Sequence, residues 1–119
     1  MSIRTAGLCS VLGFLFMACG GAAAPNERVT SATAAVRAAE VAGAPGNPEA
    51  SLLLKRAREG LAQAKAQMAD GKNEDAALTL QKAEADADLA LYLAREAAAK
   101  AEAQAAVDQV KAFKQKASE

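Results

Sequence analysis

Few side chains in this sequence are equipped for chemistry. The chain has no histidine and no tryptophan, which removes the usual general base and the commonest zinc ligand. Its 2 cysteines are Cys9 and Cys19, and without histidine neither can join a cysteine–histidine nucleophilic pair. Ser31, Ser51 and Thr79 lack a basic partner for a triad. Glu84, Asp86 and Asp88 form the one acidic cluster suited to metal binding or acid–base work. On a helix Glu84 and Asp88 share a face at i,i+4 while Asp86 points elsewhere. A calcium site needs further oxygen ligands from a loop, so the cluster reads as a solvated polar face. No glycine-rich phosphate loop or nucleic-acid motif is present. The expectation is a protein with no catalytic residue, no metal ligand and no cofactor.

Cys19 has a different chemistry open to it. It follows Phe14-Leu15-Phe16-Met17-Ala18 and precedes Gly20. Met1 to Ala18 has a short positive start at Arg4, then an apolar stretch of about ten residues from Leu8 to Met17, within the range of a secretory h-region. That stretch is short of the ~20 residues needed to span a membrane. Ala18-Cys19-Gly20 resembles the lipobox of bacterial lipoproteins, in which the cysteine is acylated and becomes the first mature residue. Phe16 departs from the pattern, where Leu is commoner. The alternative is a plain secreted helical binding protein, cut within Gly20 to Ala24 and carrying no anchor. Under the lipobox reading Cys9 is discarded with the leader, so no thiol pair remains for a disulfide. One acyl chain holds a membrane reversibly, at about 0.8 kcal/mol per buried methylene, and two or more hold it stably. The resemblance implies palmitate-type acylation at Cys19 and, because Gly20 rather than aspartate follows, the periplasmic face of the outer membrane.

About 100 residues then remain, enough for one small domain. Loss of Arg4 takes the 14 basic side chains to 13, against 14 acidic ones. This balance offers no electrostatic case for binding nucleic acid. Alanine dominates, accompanied by Leu, Lys, Glu, Gln and Arg, the composition of long helices. With 3% aromatic residues and few β-branched ones, a sheet is not expected.

The segments follow from periodicity and breakers. Residues 19–25 form an anchored flexible tether, with Gly20 to Asn26 reaching about 23 Å at roughly 3.3 Å per residue. The helical domain covers 26–119. A first helix, capped by Asn26, runs over about 26–42 with Val29, Ala32, Val36 and Ala39 as its apolar stripe. Gly43-Ala44-Pro45-Gly46-Asn47-Pro48 breaks it. The second runs over about 48–69, with Pro48 in its first turn and Leu54, Ala57, Leu61, Ala64 and Met68 in its stripe. Asp70-Gly71-Lys72-Asn73 turns the chain, with Gly71 ending one helix and Lys72 or Asn73 opening the next. A third helix of about 65 Å covers about 74–116.

Counting outward from the turn pairs Met68 with Ala76, Leu61 with Lys82 and Ala83, and Leu52 to Leu54 with Leu89 to Leu93. Leu89 and Leu93 share a face and Leu91 points the opposite way, which calls for contact with the first helix as well as the second. The expected fold is all-α: an antiparallel three-helix bundle, or hairpin, with a long protruding C-terminal helix. Its alanine core buries little area, at about 25 cal/mol per Å², and is thin.

Beyond about Ala98 the third helix has no partner. Its stripe continues through Ala103, Ala106, Val110, Phe113 and Ala117 at steps of three and four. A stripe of this kind reads as a coiled-coil seam for a second copy or another envelope protein, or else as an alanine-rich helix stable by propensity. Lys111, Lys114 and Lys116 make this end basic, in keeping with a solvated face. Some short helical lipoproteins join peptidoglycan through a terminal lysine. This sequence ends Lys116-Ala117-Ser118-Glu119, so that linkage is not carried over.

From about Ala24 to Ala106 the chain resembles an uncharacterised family, domain of unknown function 4398. The resemblance is carried by Gly71-Lys72-Asn73-Glu74-Asp75-Ala76 and by Ala83-Glu84-Ala85-Asp86-Ala87-Asp88-Leu89-Ala90. It implies an alanine-rich envelope lipoprotein. Some relatives place this unit ahead of a peptidoglycan-binding domain similar to outer-membrane protein A. No such domain follows here, and peptidoglycan is left as an unsupported partner. The turn is also similar to that of tetratricopeptide pairs, without their aromatic positions. Two readings stand: a non-enzymatic structural or adaptor lipoprotein, and a self-associating coiled-coil spacer.

Overall fold

The computed structural model describes residues 21–118. The leader, Cys19 and Gly20 lie outside them. Helix α1 spans Asn26–Val41, α2 spans Pro48–Ala69 and α3 spans Asn73–Ala117, with one 3-10 turn at Ala44–Gly46. No strand occurs among the described residues.

Local chemistry explains each boundary. α1 does not use Asn26 as its cap: Pro25 holds that place and Asn26 is the first helical residue. Pro25 needs no donor there, and its carbonyl accepts from the Val29 N–H at 3.1 Å. α2 has the stronger start. The Asn47 side chain accepts from the Glu49 and Ala50 N–H groups, each at 3.0 Å, and Pro48 supplies a pre-set φ at the first turn. α2 ends in paired reverse bonds, from Lys72 N–H to the Gln67 carbonyl at 2.8 Å and from Gly71 N–H to Met68 at 3.0 Å. This Schellman closure needs a left-handed residue, and Gly71 supplies it at φ 75°. Lys72 then caps α3 and Asn73 opens it.

The three helices run up, down and up. The α1 stripe buries Ala32, Val36 and Ala39 against both other helices. Near the α2–α3 turn Ala32, Ala64, Ala76 and Leu80 cluster, flanked by Val29, Leu61 and Met68. Further along, Leu54 and Ala57 meet Ala87, Ala90 and Ala94. The leucine-rich level sits where the counting places it, but of its leucines only Leu54 belongs to the buried centre. Alanines occupy the seam, Leu53, Leu91 and Leu93 pack beside it, and Leu52 and Leu89 face outward. Leu54 and Leu80 are the largest fully buried side chains.

The small core lets the helices approach closely. At Gly60 a Cβ would lie 3.0 Å from the Ala83 Cβ, so α2 and α3 touch nearly backbone to backbone there. Two polar ties hold α1 at the rim. Ser31 donates to Glu84 on α3, and Arg58 on α2 donates to Glu40 through Nε at 3.0 Å and Nη2 at 2.6 Å. Exposed ion pairs of this kind contribute about 0.2–1 kcal/mol.

Candidate docking face on the C-terminal helix

The site begins where burial stops. Ala94 is the last buried residue of α3, and every position from Arg95 to Ser118 is exposed. Arg95 and Ala98 still border the end of α1 at Ala38, Val41 and Ala42. Beyond that level α3 stands free for about 30 Å at 1.5 Å per residue.

Helical geometry gathers the five stripe residues on one side of this free helix. Ala103, Ala106 and Ala117 are exposed, as are Val110 at 53% and Phe113 at 69%. Val107, outside the five stripe residues, is also exposed. The stripe passes over it by stepping from Ala103 to Ala106 and then to Val110, although Val107 stands four residues after Ala103. Val107 and Val110 form a shallow groove with Ala106, edged by Lys111 and Lys114.

Local polar pairs stabilise the free helix. Gln104 Nε2 donates to Asp108 at 3.0 Å, Lys111 lies 3.6 Å from the same carboxylate, and Lys100 lies 2.6 Å from Glu96. The hydrogen bond from Lys100, then its charge, holds the Glu96 carboxyl below its usual value. The same contact raises the Lys100 ammonium. Lys114 and Lys116 stand in the last turn, where cations favour the negative end of the helix dipole.

The side chains that could have formed a reactive centre are dispersed. Glu84 turns to Ser31, Asp86 borders a groove between α2 and α3, and Asp88 is exposed. Thr79 donates to the Asp75 carbonyl at 2.9 Å, and Ser51 lies in the first turns of α2. Among the described residues no group of three His, Cys, Asp or Glu side chains could hold a metal ion. No described helix is long and apolar enough to cross a membrane.

The segment before α1 has a definite place. Asn73 Nδ2 donates to the Ala22 carbonyl at 2.6 Å, and Gly21 and Ala22 lie against the α2–α3 turn. Within the described residues the tether therefore rests on the bundle, at the end opposite the one from which α3 emerges.

Neither the curated proteins nor the solved structures offer a match to the chain. The family described as domain of unknown function (DUF4398) matches it over residues 27–117. The matched span runs past Ala106 and takes in the free part of α3 with its apolar stripe. The chain is a member of the DUF4398 family.

Proposed function

We propose that this protein is a non-enzymatic, lipid-anchored element of a bacterial cell envelope. Cys19 carries the acyl chains, the protein sits on the periplasmic face of the outer membrane, and the free part of α3 docks a protein partner. The observation that carries the reading is the unburied stripe on that free helix, with Val110 and Phe113 more than half exposed. A helix stabilised only by propensity has no need of such side chains. The bond from Asn73 to Ala22 supports a polarity in which the anchored end and the docking end are opposite ends of one rod. The role that fits is structural or adaptor work.

Two experiments test this. Radiolabelled palmitate incorporation is compared between wild type and Cys19→Ser: labelling should disappear in the variant, and equal labelling overturns the anchor. A photoreactive residue at position 110 or 113 in cells should capture a partner protein, and no captured protein at either position overturns the docking role.

A further inference from the structure

The stripe does not end where the bundle begins. Stepping back from Ala103 by four and three residues leads through Ala99 and Glu96 to Tyr92, Leu89 and Ala85, all exposed. One heptad further back stands Leu78. Leu78 is 67%, Leu89 49% and Tyr92 64% exposed, although each lies in the bundled half of α3. With Val110 and Phe113, they place five of the six exposed large apolar side chains of α3 on one heptad line; Val107 flanks it.

This line is separate from the bundle seam. At about 100° per residue, the tail stripe lies about 140° around α3 from the buried line of Ala76, Leu80, Ala83, Ala87, Ala90 and Ala94. α3 therefore carries two heptad seams, one filled by α1 and α2 and one open. The open seam from Ala85 to Ala117 is about 50 Å long. It sustains more than four heptads, enough to specify a coiled coil, and its seven-residue repeat drifts by ~20° per heptad, which calls for a left-handed supercoil with its partner helix.

We propose that the occupant is the same seam of a second copy, running antiparallel; this rests on the docking reading above and names its partner. Size and charge both select the direction. The antiparallel register that places Leu89 against Phe113 of the second copy also places Tyr92 against Val110, and Ala85 against Ala117. The large side chains meet at both ends of the overlap, and the alanines Ala99 and Ala103 meet in the middle. Glu96, the polar interruption, falls against Ala106. The flanking positions then bring Asp86 beside Lys114 and Asp88 beside Lys116 of the second copy, twice over by symmetry. Lys100 meets its own copy at the axis, where each is already paired with Glu96 at 2.6 Å. Glu102 meeting its own copy is the one like-charge contact left uncompensated. A parallel pair is worse throughout. It stacks Glu96 on Glu96, brings Arg95 to Lys100, and leaves Asp86, Asp88, Lys114 and Lys116 without opposite charges. The antiparallel dimer places its two α2–α3 turns about 85 Å apart, so two anchored copies lie along a membrane.

The test uses the full chain in cells, with disulfide formation read on non-reducing gels after mild oxidation. The parent chain, with its own Cys9 and Cys19, sets the background. The double variant Tyr92→Cys with Val110→Cys should give a covalent dimer well above background, and either single variant should not. A dimer from Val110→Cys alone indicates the parallel register and overturns the proposal. No dimer from any variant also overturns it. Photocrosslinking from position 110 then judges the docking reading separately: capture of a different protein keeps that reading, and capture of none removes it. A second measurement does not depend on introduced cysteines. In size-exclusion titration of the detergent-extracted protein, Asp86→Lys with Asp88→Lys should weaken association about tenfold or more. Adding Lys114→Asp and Lys116→Asp should restore it. Failure of the charge swap to restore association overturns the antiparallel pairing.

Discussion

The two faces of α3 use the same three-and-four spacing for opposite purposes. The inner face buries five alanines and one leucine, Leu80. The outer face exposes leucine, tyrosine, valine and phenylalanine along a parallel line. Size alone would assign these faces the other way round. In this bundle close approach matters more than side-chain volume. Alanine and Gly60 let α2 and α3 touch, and the larger side chains are excluded to the side where no helix from the same chain arrives.

The inner face should be the more sensitive of the two to substitution. Leu80 is one of the two largest fully buried side chains among the described residues, so Leu80→Ala should cost about 3 kcal/mol and lower the melting temperature followed by circular dichroism. Gly60→Leu attacks the close approach itself. It should cost about 2 kcal/mol through overpacking, despite leucine's better helix propensity, and an unchanged melting curve would refute the tight contact with Ala83. Next comes the start of α2, where Asn47→Ala removes the acceptor for two N–H groups and should cost about 1 kcal/mol in the same assay. On the outer face, Phe113→Ser should change monomer stability by less than about 0.5 kcal/mol while reducing association in a concentration series. A large loss of monomer stability there would show that the tail belongs to the core.

The smallest effect concerns pH. Glu96 has its pKa lowered and Lys100 has its pKa raised by their mutual contact. A lowered carboxyl stabilises the fold above its usual value and loses that contribution as pH falls through the lowered one. A raised ammonium stabilises below its usual value and loses that contribution as pH rises through the raised one. Between these limits the pair should give a flat profile. Both groups are fully exposed, so Glu96→Gln should leave melting curves between acid and neutral pH almost unchanged.

The helical class and the breaks were legible because breakers and caps act locally. Pro48, Gly71 and the Gly43–Pro48 cluster carry their meaning within a few residues. The stripes of α1 and α2 were legible too, since each helix has a single buried line. α3 was harder because its two apolar lines are interleaved. Leu89 and Leu93 share a face by spacing, yet Leu93 packs beside the core and Leu89 turns to solvent. Ala87 and Ala90, too small to dominate a hydropathy pattern, hold the centre because the helices come close enough to use them. Asn47 was missed as a cap although Asn-Pro-Glu is a readable helix start. In the candidate site the tail stripe was legible from its spacing, but its continuation through Tyr92 and Leu89 was not. Only the packing of α1 and α2 against α3 shows that this side of α3 is left uncovered.

If the outer line of α3 is a working interface, the free helix is more than a propensity-stabilised extension. Amide hydrogen exchange along α3 of the full chain in detergent, over a range of protein concentrations, tests this most directly. Amides from Ala99 to Lys114 should become protected to a level near that of Leu80 to Ala94 as concentration rises, and lose that protection on dilution. Exchange from Ala99 to Lys114 that stays fast and concentration-independent, while Leu80 to Ala94 remain protected, would contradict it.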